Sequence, residues 1–135
     1  MTTRGRLRRI FFRGVEPVSG NRLRLLQNGA EFFPALIAAR VRKMVPDNAP
    51  LILAGDFNDW QMRVGRYFHD ELGLAEVFEA HHGKAARSYP SILPMFQLDR
   101  IYVRRFTIES AHVHTGNAWH RISDHAALTA KLSPA

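Results

Sequence analysis

Five polar side chains stand where hydrophobic runs break off. They are Asp56 and Asn58 in "LILAGDFNDW" (51–60), Asp99 in "FQLDRIYV" (96–103), and Asp124 and His125 in "RISDHAALTAKL" (121–132). A carboxylate directly after a strand buried on both faces is delivered to a sheet rim, where open α/β sheets keep their sites. Gly55 permits close approach or an unusual backbone angle just before Asp56. Asn58 can point to the same side as Asp56 and offers both a donor and an acceptor. Such a pair suits a hard divalent cation and a phosphate oxygen. In Ser123–Asp124–His125, the adjacent acid and imidazole can divide labour, one binding metal and the other handling a proton or a developing charge. Asp99, inside a β pattern, is costly to bury without a partner. A histidine is a natural one, because a carboxylate fixes its tautomer and stabilises the charged ring. Each piece also has a plainer reading: an Asx turn for "GDFN", a turn cap for "SDH", and an ion pair with Arg100 or Arg121 for Asp99.

The elements that must position these residues follow from local patterns. Residues 31–45 carry apolar side chains at Phe33, Leu36, Ile37, Val41 and Met44, close to helical spacing, and Pro34 is tolerable in a first turn. "PDNAP" (46–50) is a breaker, and "LILA" (51–54) looks like a strand buried on both faces. A helix over 60–72 ending at Gly73 comes next, then a stretch (74–94) that reads mostly as connection. Residues 96–103 and 106–114 read as two strands paired through a tight turn at Arg104–Arg105, and 116–125 as loop before a closing strand at 126–132. "RRIFF" (8–12) adds a weak strand signal. The order of the clear elements is helix, strand, helix, strand, strand, strand. That predicts an α/β (α+β) layered arrangement with a mixed, largely antiparallel sheet.

The chain has 135 residues, enough for one domain with a real core. It contains no cysteine, which excludes disulfides, thiolate chemistry and cysteine-ligated zinc. No run reaches the ~18 apolar residues of a membrane span, and "MTTRGRLRRIFFRG" lacks a secretory apolar core. A cytoplasmic location is expected. The net charge of +7 sits mostly in the head: residues 1–24 hold seven arginines against Glu16, so seven minus one gives +6 there and +1 for the rest. A basic arm suits phosphates or an anionic membrane surface, and a solvated terminus explains it as well.

Taken together, "LILAGDFND", "LDRIYV" and "RISDHAALTAKL", with "ARSYPS" (86–91) upstream, resemble the endonuclease/exonuclease/phosphatase superfamily of metal-dependent phosphoesterases. The resemblance covers about residues 31–132. It implies that His125 activates water or stabilises the phosphoryl transition state, oriented by Asp99. Asp124 would bind Mg²⁺ or Mn²⁺, Asp56 would position or deprotonate the attacking water, and Asn58 would hydrogen-bond the scissile phosphate. The implied fold is the C-terminal half of a four-layer α/β/β/α sandwich. On this reading residues 1–30 are a basic, poorly defined segment and 31–135 a partial domain.

The family's first half supplies an early asparagine, a metal-binding glutamate and an Asn–x–His. Here Asn21 is followed by Leu23 where that histidine would stand, and the only acids before Asp56 are Glu16, Glu31 and Asp47. A truncated phosphoesterase is therefore expected, acting on a nucleic acid, nucleotide or lipid phosphate. The alternative is a catalytically incomplete remnant working through a partner chain or by self-association, which would also cover an otherwise exposed sheet. Trp60 and Trp119 are candidates for stacking or for rim packing, and Arg100, Arg104 and Arg105 for anion contact or for guarding a strand edge. The remaining histidines lack helical zinc spacing.

Overall fold

The computed structural model describes residues 8–11, 32–58 and 63–135. Most of the basic head and Trp60 lie outside the described residues. Strand β1 (Arg8–Phe11) does fall among them and runs parallel to β2 (Leu51–Asp56), with Arg8 opposite Leu51. A parallel neighbour needs a crossover, and helix α1 (Phe32–Met44) lies within that connection.

The main sheet has the order β1-β2-β4-β3, with β3 at Ala75–Glu76 and β4 at Asp99–Arg104. β2 and β4 are antiparallel and in register from Leu51↔Arg104 to Asp56↔Asp99. The unbroken apolar run 51–54 is explained by what covers each face. Leu51, Leu53 and Tyr102 pack under α1 and α2 (Val64–Leu72), against Ile37, Val41 and Phe68. Tyr102 stands edge-on to Phe57 and Phe68, with ring centres 5.3 and 5.2 Å away. Ile52, Ile101 and Val103 point the other way. Leu36 and Met44, which share the apolar spacing of α1, are exposed; the buried stripe is Pro34, Ile37, Ala38 and Val41.

Helix α2 ends as predicted at Gly73, whose φ of +62° is the left-handed cap conformation that glycine tolerates best. The stretch predicted as mostly connection contains a helix, α3 (Val77–His82). Glu76 caps it, its carboxylate accepting from the Glu79 N–H at 2.8 Å, and Gly83 closes it at φ +75°. Six residues hold less than two turns, too few for a periodic signal. Arg104 ties the layers: its guanidinium donates to the carbonyls of Ala49, Leu72 and Pro46 at 3.1, 2.9 and 3.0 Å.

The sequence pattern predicts a pairing of β4 with β5 (Phe106–His114). They do not pair. Arg105, at φ +60°, turns the chain out of the main sheet, and β5 pairs antiparallel with β6 (Ala127–Pro134) in a separate two-stranded sheet. A short helix α4 (Asn117–His120) lies between β5 and β6. The two sheets meet through Ile101 and Val103 on one side and Ile108, Val113, Leu128 and Leu132 on the other. The contact is incomplete. A cleft of about 670 Å³ runs between the sheets, walled by Ile52, Ile101, Leu128 and Leu132, and opens onto Asp99 and His125. The architecture is thus a mixed α/β fold with mainly antiparallel pairing. Among the described residues no helix is long and apolar enough to cross a membrane.

Candidate active site

Register places two carboxylates side by side. Asp56 ends β2, Asp99 begins β4, and they are directly opposed across the antiparallel pair. Like charges in that position repel. The loop before β6 brings His125 between them. Asp99 Oδ2 accepts from His125 Nδ1 at 2.6 Å, while His125 Nε2 lies 3.9 Å from Asp56 Oδ2. The ring therefore has a short charge-assisted bond on one side and a carboxylate within water-bridging distance on the other.

Asp99 is held from behind. Fully buried Ser88 donates its hydroxyl to the same Oδ2 at 2.5 Å, and its Oγ accepts from the Asp99 N–H at 3.1 Å. The Ser88 carbonyl accepts from the Ala126 N–H at 2.6 Å, fixing the residue after His125 as well. The Tyr89 ring packs 5.0 Å from the His125 ring. The Tyr89–Pro90 peptide is cis. Ser123 acts as the expected turn cap, its Oγ accepting from the His125 N–H at 3.1 Å. At the other carboxylate, Asp56 Oδ1 accepts from the Asn58 N–H at 2.8 Å, the Asx turn anticipated for "GDFN". Asn58 has a φ of +49° and is exposed beside Asp56. The turn and the site are one feature.

Burial lowers the His125 pKa. The Asp99 hydrogen bond and the charges of Asp99, Asp56 and Asp124 raise it, and together they outweigh burial, leaving it above the ordinary imidazole value. The protonated ring is the favoured form here over a wider pH range than for a free histidine.

Of the five predicted residues, Asp56, Asp99 and His125 converge. One ligand atom from each lies within 4.8 Å of the others. Asp99 Oδ2 already accepts from both His125 and Ser88. Asp124, whose carboxylate is exposed and forms no ion pair among the described residues, is not a member of that group. Asp124 also accepts from the Ser91 N–H through its backbone carbonyl, at 2.7 Å. Arg100 and Arg104 are occupied elsewhere. Arg100 is buried on the helix side against Glu79 at 3.3 Å, and so does not pair with Asp99. Ser88 and Tyr89 were not singled out by sequence reasoning; their signal was the "ARSYPS" segment upstream of the Asp99 strand.

Residues 3–125 match the Endonuclease/Exonuclease/phosphatase family. The chain belongs to that family. Curated relatives include the uncharacterized protein YbhP of Escherichia coli K12 and its counterpart in Shigella flexneri, each 37% identical over 98 residues. The match covers 73% of this chain and 38% of each relative, so the chain spans about two fifths of their length. No solved structure matches the chain.

Proposed function

We propose that this chain carries the histidine half of a metal-dependent phosphoester hydrolase site. The observation that carries the reading is His125 held at 2.6 Å by Asp99 with its other nitrogen turned toward Asp56. Asp99 fixes the ring so that Nε2–H points into the site. Asp56 orients a water and takes its proton as the water oxygen bonds to phosphorus. One ester P–O bond breaks, and the departing alcohol receives a proton from the His125 imidazolium, which the flanking carboxylates keep charged. Asn58 donates its amide to a non-bridging phosphate oxygen. Asp124 would hold Mg²⁺ or Mn²⁺, which when bound supplies Lewis-acid neutralisation of the phosphoryl charge. Hydrolysis of bis(p-nitrophenyl) phosphate with Mn²⁺ tests this. His125→Ala and Asp124→Ala should each lower the rate by about 10²–10⁴-fold. Equal rates for wild type and both variants would end the catalytic reading.

A second reading is favoured by the open cleft between the sheets. In it, further polypeptide, from a partner or a second copy, fills the cleft and completes a four-layer sandwich. Light scattering across concentration tests it. A strictly monomeric, fully active chain would exclude any need for that completion.

A further inference from the structure

Ser88 stands behind the Asp99–His125 pair and is tied to both sides of it. It is fully buried. Its N–H donates to the Phe96 carbonyl at 2.8 Å, and its carbonyl accepts from the Ala126 N–H at 2.6 Å. The hydroxyl serves Asp99 twice: Oγ accepts from the Asp99 N–H at 3.1 Å and donates to Asp99 Oδ2 at 2.5 Å. An ionised carboxylate only accepts, so the hydroxyl proton lies on the Oδ2 side.

That second donor matters because the terminal torsion of an aspartate is broad. One bond from His125 Nδ1, at 2.6 Å, leaves the Asp99 carboxylate free to turn; a second bond to the same oxygen from a fixed, buried hydroxyl sets its plane. The residues after Ser88 follow the His125 loop in reverse. The Tyr89 ring lies 5.0 Å from the His125 ring, and Ser91 donates its N–H to the Asp124 carbonyl and its hydroxyl to the Ser123 carbonyl, both at 2.7 Å. Within this segment Ser88 reaches both layers, Asp99 at the start of β4 and Ala126 at the entrance to β6.

We propose that Ser88 is a positioning residue for the hydrolysis: its hydroxyl sets the Asp99 carboxylate and its carbonyl sets the His125 loop, so that Nδ1 meets Oδ2 while Nε2 faces Asp56. Fully buried, it acts only through these neighbours. The positioning stands on this geometry; its effect on turnover rests on the hydrolase reading.

Ser88→Ala deletes the hydroxyl and keeps the carbonyl bond to Ala126. Ser88→Cys keeps the side chain's shape with a much weaker donor, and carries the same test where Ser88→Ala fails to fold. Ser91→Ala is the comparison, since it removes a buried hydroxyl of the same segment that bonds Ser123 and not Asp99. Steady-state hydrolysis of bis(p-nitrophenyl) phosphate with Mn²⁺ separates kcat from KM, and NMR of the His125 Nδ1–H at one fixed pH reports the bond to Asp99 without turnover. Both Ser88 variants should lower kcat by about ten- to a hundredfold, the worth of one charge-assisted hydrogen bond, with KM within about twofold of wild type. The Nδ1–H resonance should shift upfield in both and stay in place in Ser91→Ala.

Folded Ser88 variants with wild-type kcat and an unmoved resonance overturn the proposal, whatever their stability in urea. So does an equal shift in Ser91→Ala, which would assign the effect to a loosened loop. A raised KM with kcat unchanged overturns it in favour of a role in binding. A wild-type chain that hydrolyses nothing, with the resonance shifted only in the Ser88 variants, supports the positioning and refutes the hydrolase reading.

Discussion

Replacing Asp99 by asparagine isolates charge from geometry. Ser88 donates to Asp99 Oδ2 at 2.5 Å and His125 Nδ1 approaches the same oxygen at 2.6 Å. The asparagine carbonyl, placed there, can still accept both bonds. What disappears is the negative charge. A charge-assisted hydrogen bond contributes about 1.5–3 kcal/mol and a neutral one about 0.5–1.5, so the charged ring loses on the order of 1–1.5 kcal/mol. That is roughly tenfold in any step that needs His125 protonated. If the amide instead flips its NH₂ toward the ring, the tautomer is lost and the full contribution of a positioned acid–base group, about 10²–10⁴-fold, goes with it. Stability should fall by a similar amount where His125 is protonated, offset in part by removal of the repulsion between Asp56 and Asp99 across the β2–β4 pair. Phosphodiester hydrolysis with Mn²⁺ and urea unfolding, run on the same preparation, give both numbers. His125 ring titration by NMR should fall from its raised value, since burial then acts against fewer charges. Hydrolysis within twofold of wild type, together with an unmoved titration, would refute the coupling of Asp99 to His125.

Three further outcomes are expected. The folded-state pKa of His125 lies above its unfolded value, so its stabilising contribution is complete below the ordinary imidazole pKa and is lost as pH rises through the raised one; the gap in urea midpoint between wild type and His125→Gln should shrink over that window. Asn58→Gly keeps a residue content with φ +49° and deletes the carboxamide, so the fold should survive while hydrolysis drops by about 10²-fold; unchanged hydrolysis would remove the amide from the site. Arg104→Lys should cost about 2–4 kcal/mol in urea unfolding, because a point charge cannot serve the carbonyls of Pro46, Ala49 and Leu72 together.

The meeting of three of the five candidate residues was more legible than the fold around them. Asp56, Asp99 and His125 each sit where an apolar pattern ends, and register alone then forces the two carboxylates together. The Gly73 stop and the doubly buried "LILA" strand could be read for the same reason: their signals are local. What could not be read is non-local or short. Arg104–Arg105 resembles a hairpin turn in sequence, and only the packing of Ile101 and Val103 against Leu128 and Leu132 shows that the chain changes sheets there. Helix α3 lacks a full period and depends on Glu76 as its cap. Ser88 acts on Asp99 through two bonds that an isolated serine in "ARSYPS" does not announce.

The change of sheet at Arg105 makes the Asp99–His125 pair a gauge of interlayer slip. Asp99 rides on one sheet and His125 on the loop that leads into the other, so their 2.6 Å bond spans two layers with an unfilled gap beside it. Sliding one layer over its neighbour by about an ångström would break the Asp99–His125 bond on which the proposed chemistry rests while every strand kept its own ladder. Heating should therefore extinguish turnover before it melts secondary structure, and whatever wedges the gap should widen the thermal range of catalysis.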